Sequence, residues 1–261
     1  MVIKRLSCAF RLTDSGTGRA LGGSEARFSS DGGNIRHEYK PGGYFVLTDL
    51  PEGTHRLTVT APGYQPEELT ATVDYTSGDA LERVIYLALN PSRTHPAAAR
   101  MPSVCGTAPG FEALYAVSSA GNLRVAEEKT AAGAVEIRMF TESGAPALPA
   151  DFLLGSADGS AGKTAELVRL TGNRDGLCSV QSPLRYPHLR SETARPLIRL
   201  RCGENGGFFL LLAGNFRPDR QTGNYLLTFA AEKGGKIVTA TVQAAPRGCT
   251  DAGKLKFTGG K

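Results

Sequence analysis

An all-β protein is the fold class this sequence predicts, and three observations predict it. Apolar and polar residues alternate with a period of two in one stretch after another, the pattern of half-buried strands. Glycine and proline are plentiful, at 32 and 15 of 261 residues, and Trp is absent, which suits short strands and tight turns better than long helices. Hydrophobic residues make up 41%, enough to build a core and too many for a mostly disordered chain. The expected architecture is an antiparallel β-sandwich followed by a second β-rich domain.

The chain opens MVIKRLSCAF, with Lys4 and Arg5 where a secretory leader would need about 7–15 apolar residues. Leu6-Ser7-Cys8 likewise lacks the apolar stretch that precedes a lipoprotein site. A cytoplasmic location is expected, unless a larger assembly carries the protein outside. A first strand is predicted over Ile3–Leu12, then a turn at Asp14-Ser15-Gly16-Thr17-Gly18 and a second strand at Glu25–Ser29. Gly43-Tyr44-Phe45-Val46-Leu47 leads through the turn Leu50-Pro51-Glu52-Gly53 into Thr54–Thr60, where His55, Leu57 and Val59 share one face. Strands at Leu69–Val73 and Arg83–Leu89 complete a first domain over residues 1–90.

Four of the prolines (Pro91, Pro96, Pro102, Pro109) fall in residues 91–110, which predicts an extended backbone without hydrogen bonds, a semi-rigid linker or a strap along a surface. Beyond it, residues 111–261 read as a β-rich domain. Its strands are Ala113–Val117, Leu123–Ala126, Ala134–Phe140, Ala165–Leu170, Leu177–Val180, Leu197–Cys202, Gly207–Ala213, Asn224–Ala231, Lys236–Gln243 and Lys254–Thr258. Asp175-Gly176 and Lys233-Gly234-Gly235 are hairpin turns. Glu112–Glu128 and the segment around Glu166 are also compatible with helix. The longest apolar run, Phe208–Ala213, is far short of the roughly 20 residues that span a bilayer, so no membrane span is expected.

Several motifs of the first domain belong together. Leu12-Thr13-Asp14 with Gly16, Ala20-Leu21-Gly22-Gly23, Gly43-Tyr44-Phe45-Val46-Leu47, Leu50-Pro51-Glu52-Gly53 and Ala61-Pro62-Gly63-Tyr64 resemble the carboxypeptidase regulatory-like (transthyretin-like) domain family. The resemblance covers residues 3–89. Cys8-Ala9-Phe10 and His55 depart from it, standing where the family tends to have Gly-x-Val and an inward Tyr. The resemblance implies a sandwich that serves as a spacer or binding module attached to varied partners, without the family's catalytic domain.

No motif for chemistry has its required context. Ala157-Asp158-Gly159-Ser160-Ala161-Gly162-Lys163-Thr164 fits a relaxed phosphate loop, in which Lys163 would reach the outer phosphates of a nucleotide. Such a loop needs a helix after it in a parallel α/β sheet, whereas the following residues alternate. His37, His55, His95 and His188 lack metal-ligand spacing, and no Gly-x-Ser-x-Gly elbow occurs. His37, Tyr39, Tyr44 and Tyr64 match no defensible iron-site spacing. The terminal Phe257–Lys261 lacks the Tyr-Arg-Gly-Ser tail of a hydroxyisourate hydrolase. The five cysteines (Cys8, Cys105, Cys178, Cys202, Cys249) contain no CxxC and read as thiols, with a Cys178–Cys202 bridge left open. No cofactor and no metal is expected.

One charge cluster remains: Arg185-Tyr186-Pro187-His188-Leu189-Arg190, continuing to Arg195, Arg199 and Arg201. Arg199 and Arg201 share a strand face, and with Arg185, Tyr186 and Arg190 they are the candidate binding residues for an acidic partner. The alternative is a solvated face whose Arg stems cover apolar surface. The net charge of +5 is too slight to indicate nucleic acid. The expected function is a non-enzymatic binding or structural subunit of a larger protein assembly, for example a phage-tail-like or contractile injection particle. A carbohydrate module using Tyr44, Tyr64 or Tyr186, and a nucleotide-using enzyme through Lys163, are the alternatives.

Overall fold

A computed structural model describes residues 4–31, 33–76, 84–111, 113–141, 148–155 and 165–258. The chain is nearly all β and forms two compact units, Met1–Ala99 and Arg100–Lys261. Ile3, Arg83, Glu112 and the phosphate-loop-like residues 157–164, with Lys163, lie outside the described residues.

Among the described residues, the first unit has eight strands: β1 (Leu6–Asp14), β2 (Arg27–Ser30), β3 (Gly33–Ile35), β4 (His37–Lys40), β5 (Tyr44–Thr48), β6 (Gly53–Thr60), β7 (Glu67–Val73) and β8 (Val84–Leu89). They form two four-stranded sheets, ordered β4-β5-β1-β8 and β3-β2-β6-β7. Alternation makes each sheet apolar on one side, and the two apolar sides enclose Phe10, Phe28, Phe45, Leu47, Leu57 and Val59. Phe28 sits 5.0 Å from Phe10 and 5.7 Å from Phe45, ring centre to ring centre. The sandwich is not wholly antiparallel, because β8 runs parallel to β1 with Phe10 opposite Ile85.

The Leu50–Gly53 turn carries the chain from one sheet to the other, between β5 and β6. Ser7, at a bulge in β1, accepts the Leu50 N–H at 2.9 Å, and the Tyr75 hydroxyl donates to the Leu50 carbonyl at 2.7 Å. The start of the predicted linker belongs to this unit: the Ser92 N–H bonds the Gly63 carbonyl and the Gln65 N–H bonds the Asn90 carbonyl. Pro96–Ala99 then forms a 3₁₀ turn.

In the second unit the chain continues as β9 (Ser103–Thr107), β10 (Ala113–Val117), β11 (Leu123–Val125), β12 (Lys129–Thr130), β13 (Glu136–Thr141), β14 (Ala150–Leu154) and β15 (Glu166–Arg174). Next come β16 (Leu177–Val180), β17 (His188–Leu189), β18 (Thr193–Arg201), β19 (Gly207–Leu211), β20 (Tyr225–Lys233), β21 (Lys236–Ala244) and β22 (Cys249–Lys254). The expectation of a linker without hydrogen bonds fails at Ser103–Thr107. That strand is the centre of a three-stranded sheet, β19-β9-β22. The helical alternatives at Glu112–Glu128 and Glu166 resolve as strands β10, β11 and β15. The last predicted strand, Lys254–Thr258, shifts to β22, leaving Thr258 in an isolated bridge to Thr239.

The largest sheet is ordered β11-β13-β16-β15-β14-β18-β10-β20-β21, with β11 also pairing β18. The second pairing closes β11, β13, β16, β15, β14 and the first half of β18 into a six-stranded barrel, every neighbour antiparallel. Its interior holds Val125, Ile137, Phe152, Leu154, Leu170 and Cys178. The second half of β18 leaves the barrel and pairs β10. There Leu114, Leu200, Leu227 and Phe229 form another core with Val104, Phe208 and Leu210 of the three-stranded sheet. A long β18 thus serves two cores, which its alternation alone allows.

Candidate functional site

Three arrangements in the two units involve polar side chains that the fold has positioned. In the first unit, Asp14 ends β1 with only 4% of its surface exposed. Its Oδ1 accepts the N–H groups of Gly16 and Thr17 at 2.9 and 2.7 Å, and its Oδ2 accepts the Tyr64 hydroxyl at 2.9 Å. His95 Nε2 lies 3.8 Å from the same Oδ2, and its ring meets Tyr64 edge-on at 5.0 Å. Burial, then the hydrogen bond to Asp14, push the Tyr64 hydroxyl up to about 12. Asp14, Gly16, Gly63 and Tyr64 are therefore holding a corner together. Tyr64, expected as a sugar platform, is 8% exposed and turns its polar end inward. Tyr44 is half-buried with the Arg11 guanidinium 5.6 Å from its ring centre.

In the second unit, Glu166 begins β15 on the inward phase of Glu166-Val168-Leu170, so its carboxylate enters one end of the barrel. There it meets His188, which is fully buried, at 2.8 Å from Nε2; Glu192 meets Nδ1 at 2.7 Å. Glu166 also accepts the N–H groups of Arg185 and Tyr186 at 2.9 and 3.2 Å. Burial pushes the Glu166 carboxyl up, but His188 and the two N–H groups outweigh it and the net shift is downward. Burial pushes His188 down, but its two carboxylate partners outweigh burial and the net shift is upward. Both ring nitrogens face carboxylate oxygens, an arrangement that favours the protonated ring, which donates at both. Sequence reading missed this cluster, because separations of 22 and 4 residues match no motif. The available signal was a carboxylate at an inward position of an alternating strand.

The cluster fixes the candidate binding segment, since Arg185, Tyr186 and His188 all hold Glu166. Arg185 itself reaches Glu232 on β20 at 2.6 Å. Across β18 and β10, Arg199 pairs with Tyr115 and Arg201 with Ala113. Tyr115 is half-buried, its hydroxyl raised above its ordinary value by burial and within reach of Arg199, Asp151, Glu232 and Arg169. Arg169 and Asp151 form an ion pair at 3.0 Å. Beside them runs an apolar seam of Val117, Leu153, Leu197, Ala230 and Ile237. By strand alternation Arg195 shares this face with Arg199 and Arg201.

The structure thus brings Arg185, Arg199 and Arg201 to one side of the large sheet. Tyr186 is half-buried in the anchored segment. Arg190 is exposed elsewhere, its N–H on the Glu128 carbonyl beside the small β12–β17 sheet. The phosphate-loop-like segment joins β14 to β15, which are antiparallel, and β15 begins two residues after Thr164. The parallel strand–loop–helix context that Lys163 would need is therefore replaced by a hairpin. Among the described residues, no group of three or more His, Cys, Asp or Glu side chains is arranged to hold a metal ion. Among them also, no helix is long and apolar enough to cross a membrane.

No protein-family model, no curated protein and no solved structure matches this chain.

Proposed function

We propose that this chain is a non-catalytic binding subunit of a larger protein assembly, and that the arginine-rich side of the second unit grips an acidic neighbouring protein. The observation that carries it is the row of Arg195, Arg199 and Arg201 along one face of β18 beside Tyr115, next to a segment held by the buried Glu166–His188 contact. Arg forks suit carboxylates, and a preorganised surface loses little entropy when it binds. The aromatic at the centre of the charges is the residue type that anchors such contacts. The first unit serves as a carboxypeptidase regulatory-like spacer or positioning module. The Asp14–Tyr64 corner, made from the residues that suggested the family, supports that role.

Affinity capture from native lysate tests the proposal. The parent chain should retain a protein partner whose retention falls at least tenfold in Arg199→Glu/Arg201→Glu and weakens with salt. Equal retention by parent and variant overturns it.

A further inference from the structure

Two cysteines that the proposed function does not use lie in neighbouring strands. Cys105 is in β9 and Cys249 opens β22, two strands that run parallel with Cys249 opposite Ser103 and Asp251 opposite Cys105. The two cysteines are therefore diagonal neighbours on the same face of the three-stranded sheet, away from the Val104–Leu210 core. Their sulfurs are 3.4 Å apart, with the Cys249 thiol directed at the Cys105 sulfur, and both are thiols rather than a disulfide. A disulfide sulfur pair sits at about 2.05 Å, so the two sulfurs must approach further before a bond forms. Their exposure is unequal: Cys249 faces solvent and Cys105 is 8% exposed.

We propose that Cys105 and Cys249 form a reversible disulfide by exchange with a low-molecular-weight disulfide such as oxidised glutathione. The exposed Cys249 thiolate, having given its proton to solvent, attacks one sulfur of the small disulfide. A mixed disulfide forms at Cys249 and one small thiolate departs. Cys105, deprotonated in turn, attacks the Cys249 sulfur from the protein side and expels the second small thiolate. Two protein thiols are oxidised to one disulfide while one small disulfide is reduced to two thiols, and nothing else is consumed. The chemistry divides the roles by position: the accessible sulfur receives the oxidant and the shielded one resolves it. The bond ties β22, at the edge of its sheet, to the central strand β9. It closes a loop between residues 144 apart in sequence, a separation at which a cross-link restricts the unfolded chain strongly.

The test equilibrates the reduced, folded full-length chain with oxidised glutathione and follows intact mass, peptide maps and melting. The parent should lose two hydrogens in mass and carry a Cys105–Cys249 cross-linked peptide. Its melting temperature should rise by about 5–10 °C, reversibly with reductant. Cys105→Ser removes the resolving sulfur and should accumulate glutathione on Cys249, an adduct that stays minor in the parent. The proposal is overturned if the parent holds as much stable adduct on Cys249 as Cys105→Ser does. It is equally overturned if both thiols stay open to alkylation, or if any cross-link runs through another cysteine.

Discussion

In the first unit the buried Asp14 carboxylate is met mainly by neutral donors, two backbone N–H groups and the Tyr64 hydroxyl, whereas in the second the buried Glu166 meets a histidine that a second carboxylate also holds. The first solution uses residues close in sequence on one side, Asp14 to Thr17, and one distant ring. The second gathers Glu166 from the start of β15, His188 from β17 and Glu192 from the turn before β18. A carboxylate that accepts the Tyr64 hydroxyl loses that donor when the tyrosine ionises. One held by a histidine ties stability to that histidine's proton. The two units should therefore fail under different stresses.

The largest break is expected from His188→Leu. It leaves two buried carboxylates without their cation, which costs about 3–5 kcal/mol. Denaturant unfolding should show the second unit melting early while near-native ellipticity of the first persists. A loss below about 1 kcal/mol would contradict the buried ion-pair assignment. Tyr64→Phe is next, removing one hydrogen bond to a buried carboxylate at a cost of about 1.5–3 kcal/mol, here confined to the first unit.

The pH dependence sharpens the contrast. His188 is raised above its ordinary 6.5, so its contribution is complete below 6.5 and is lost as pH climbs through the raised folded value. Glu166 is lowered from its ordinary 4.5, so its contribution is present above 4.5 and is lost as pH falls through the depressed folded value. The second unit should be most stable between 4.5 and 6.5 and should weaken on either side, the alkaline limb flattening in His188→Gln. Tyr64, raised from 10 to about 12, holds the first unit's contribution until pH climbs past 10. Thermal melts in a pH series, read on each unit's own transition, check both signs. The smallest effect on stability is expected from Arg199→Glu/Arg201→Glu. Such sheet-surface changes usually stay within about 0.5 kcal/mol, so lost binding there would not be lost folding.

Much of the fold was legible because alternation speaks for itself in isolated strands. Thr54–Thr60 and Lys236–Gln243 lie within one residue of β6 and β21, and the Asp175-Gly176 turn takes the positive φ angles, 52° and 84°, that its residues favour. Strand Ser103–Thr107 was hidden because Pro102 and Pro109 flank only six residues, and proline-rich flanks read as extended linker. Barrel closure was not legible, since the β11–β18 pairing joins residues about seventy positions apart and leaves no local trace. Of the five candidate binding residues, Arg199 and Arg201 share a strand face that alternation alone makes legible. Tyr115 was missed because it entered only as part of a short apolar strand. Glu166 alone carries no site signal, because its partner His188 lies 22 residues away on another element.

Molar mass in native lysate, by size-exclusion chromatography with light scattering, tests the binding-subunit proposal most directly. The expected result is that the 27.5 kDa chain elutes within a much heavier complex and that Arg199→Glu/Arg201→Glu releases it as folded monomer. Elution of the parent at its monomer mass, or a variant that stays in the complex, would contradict the proposal.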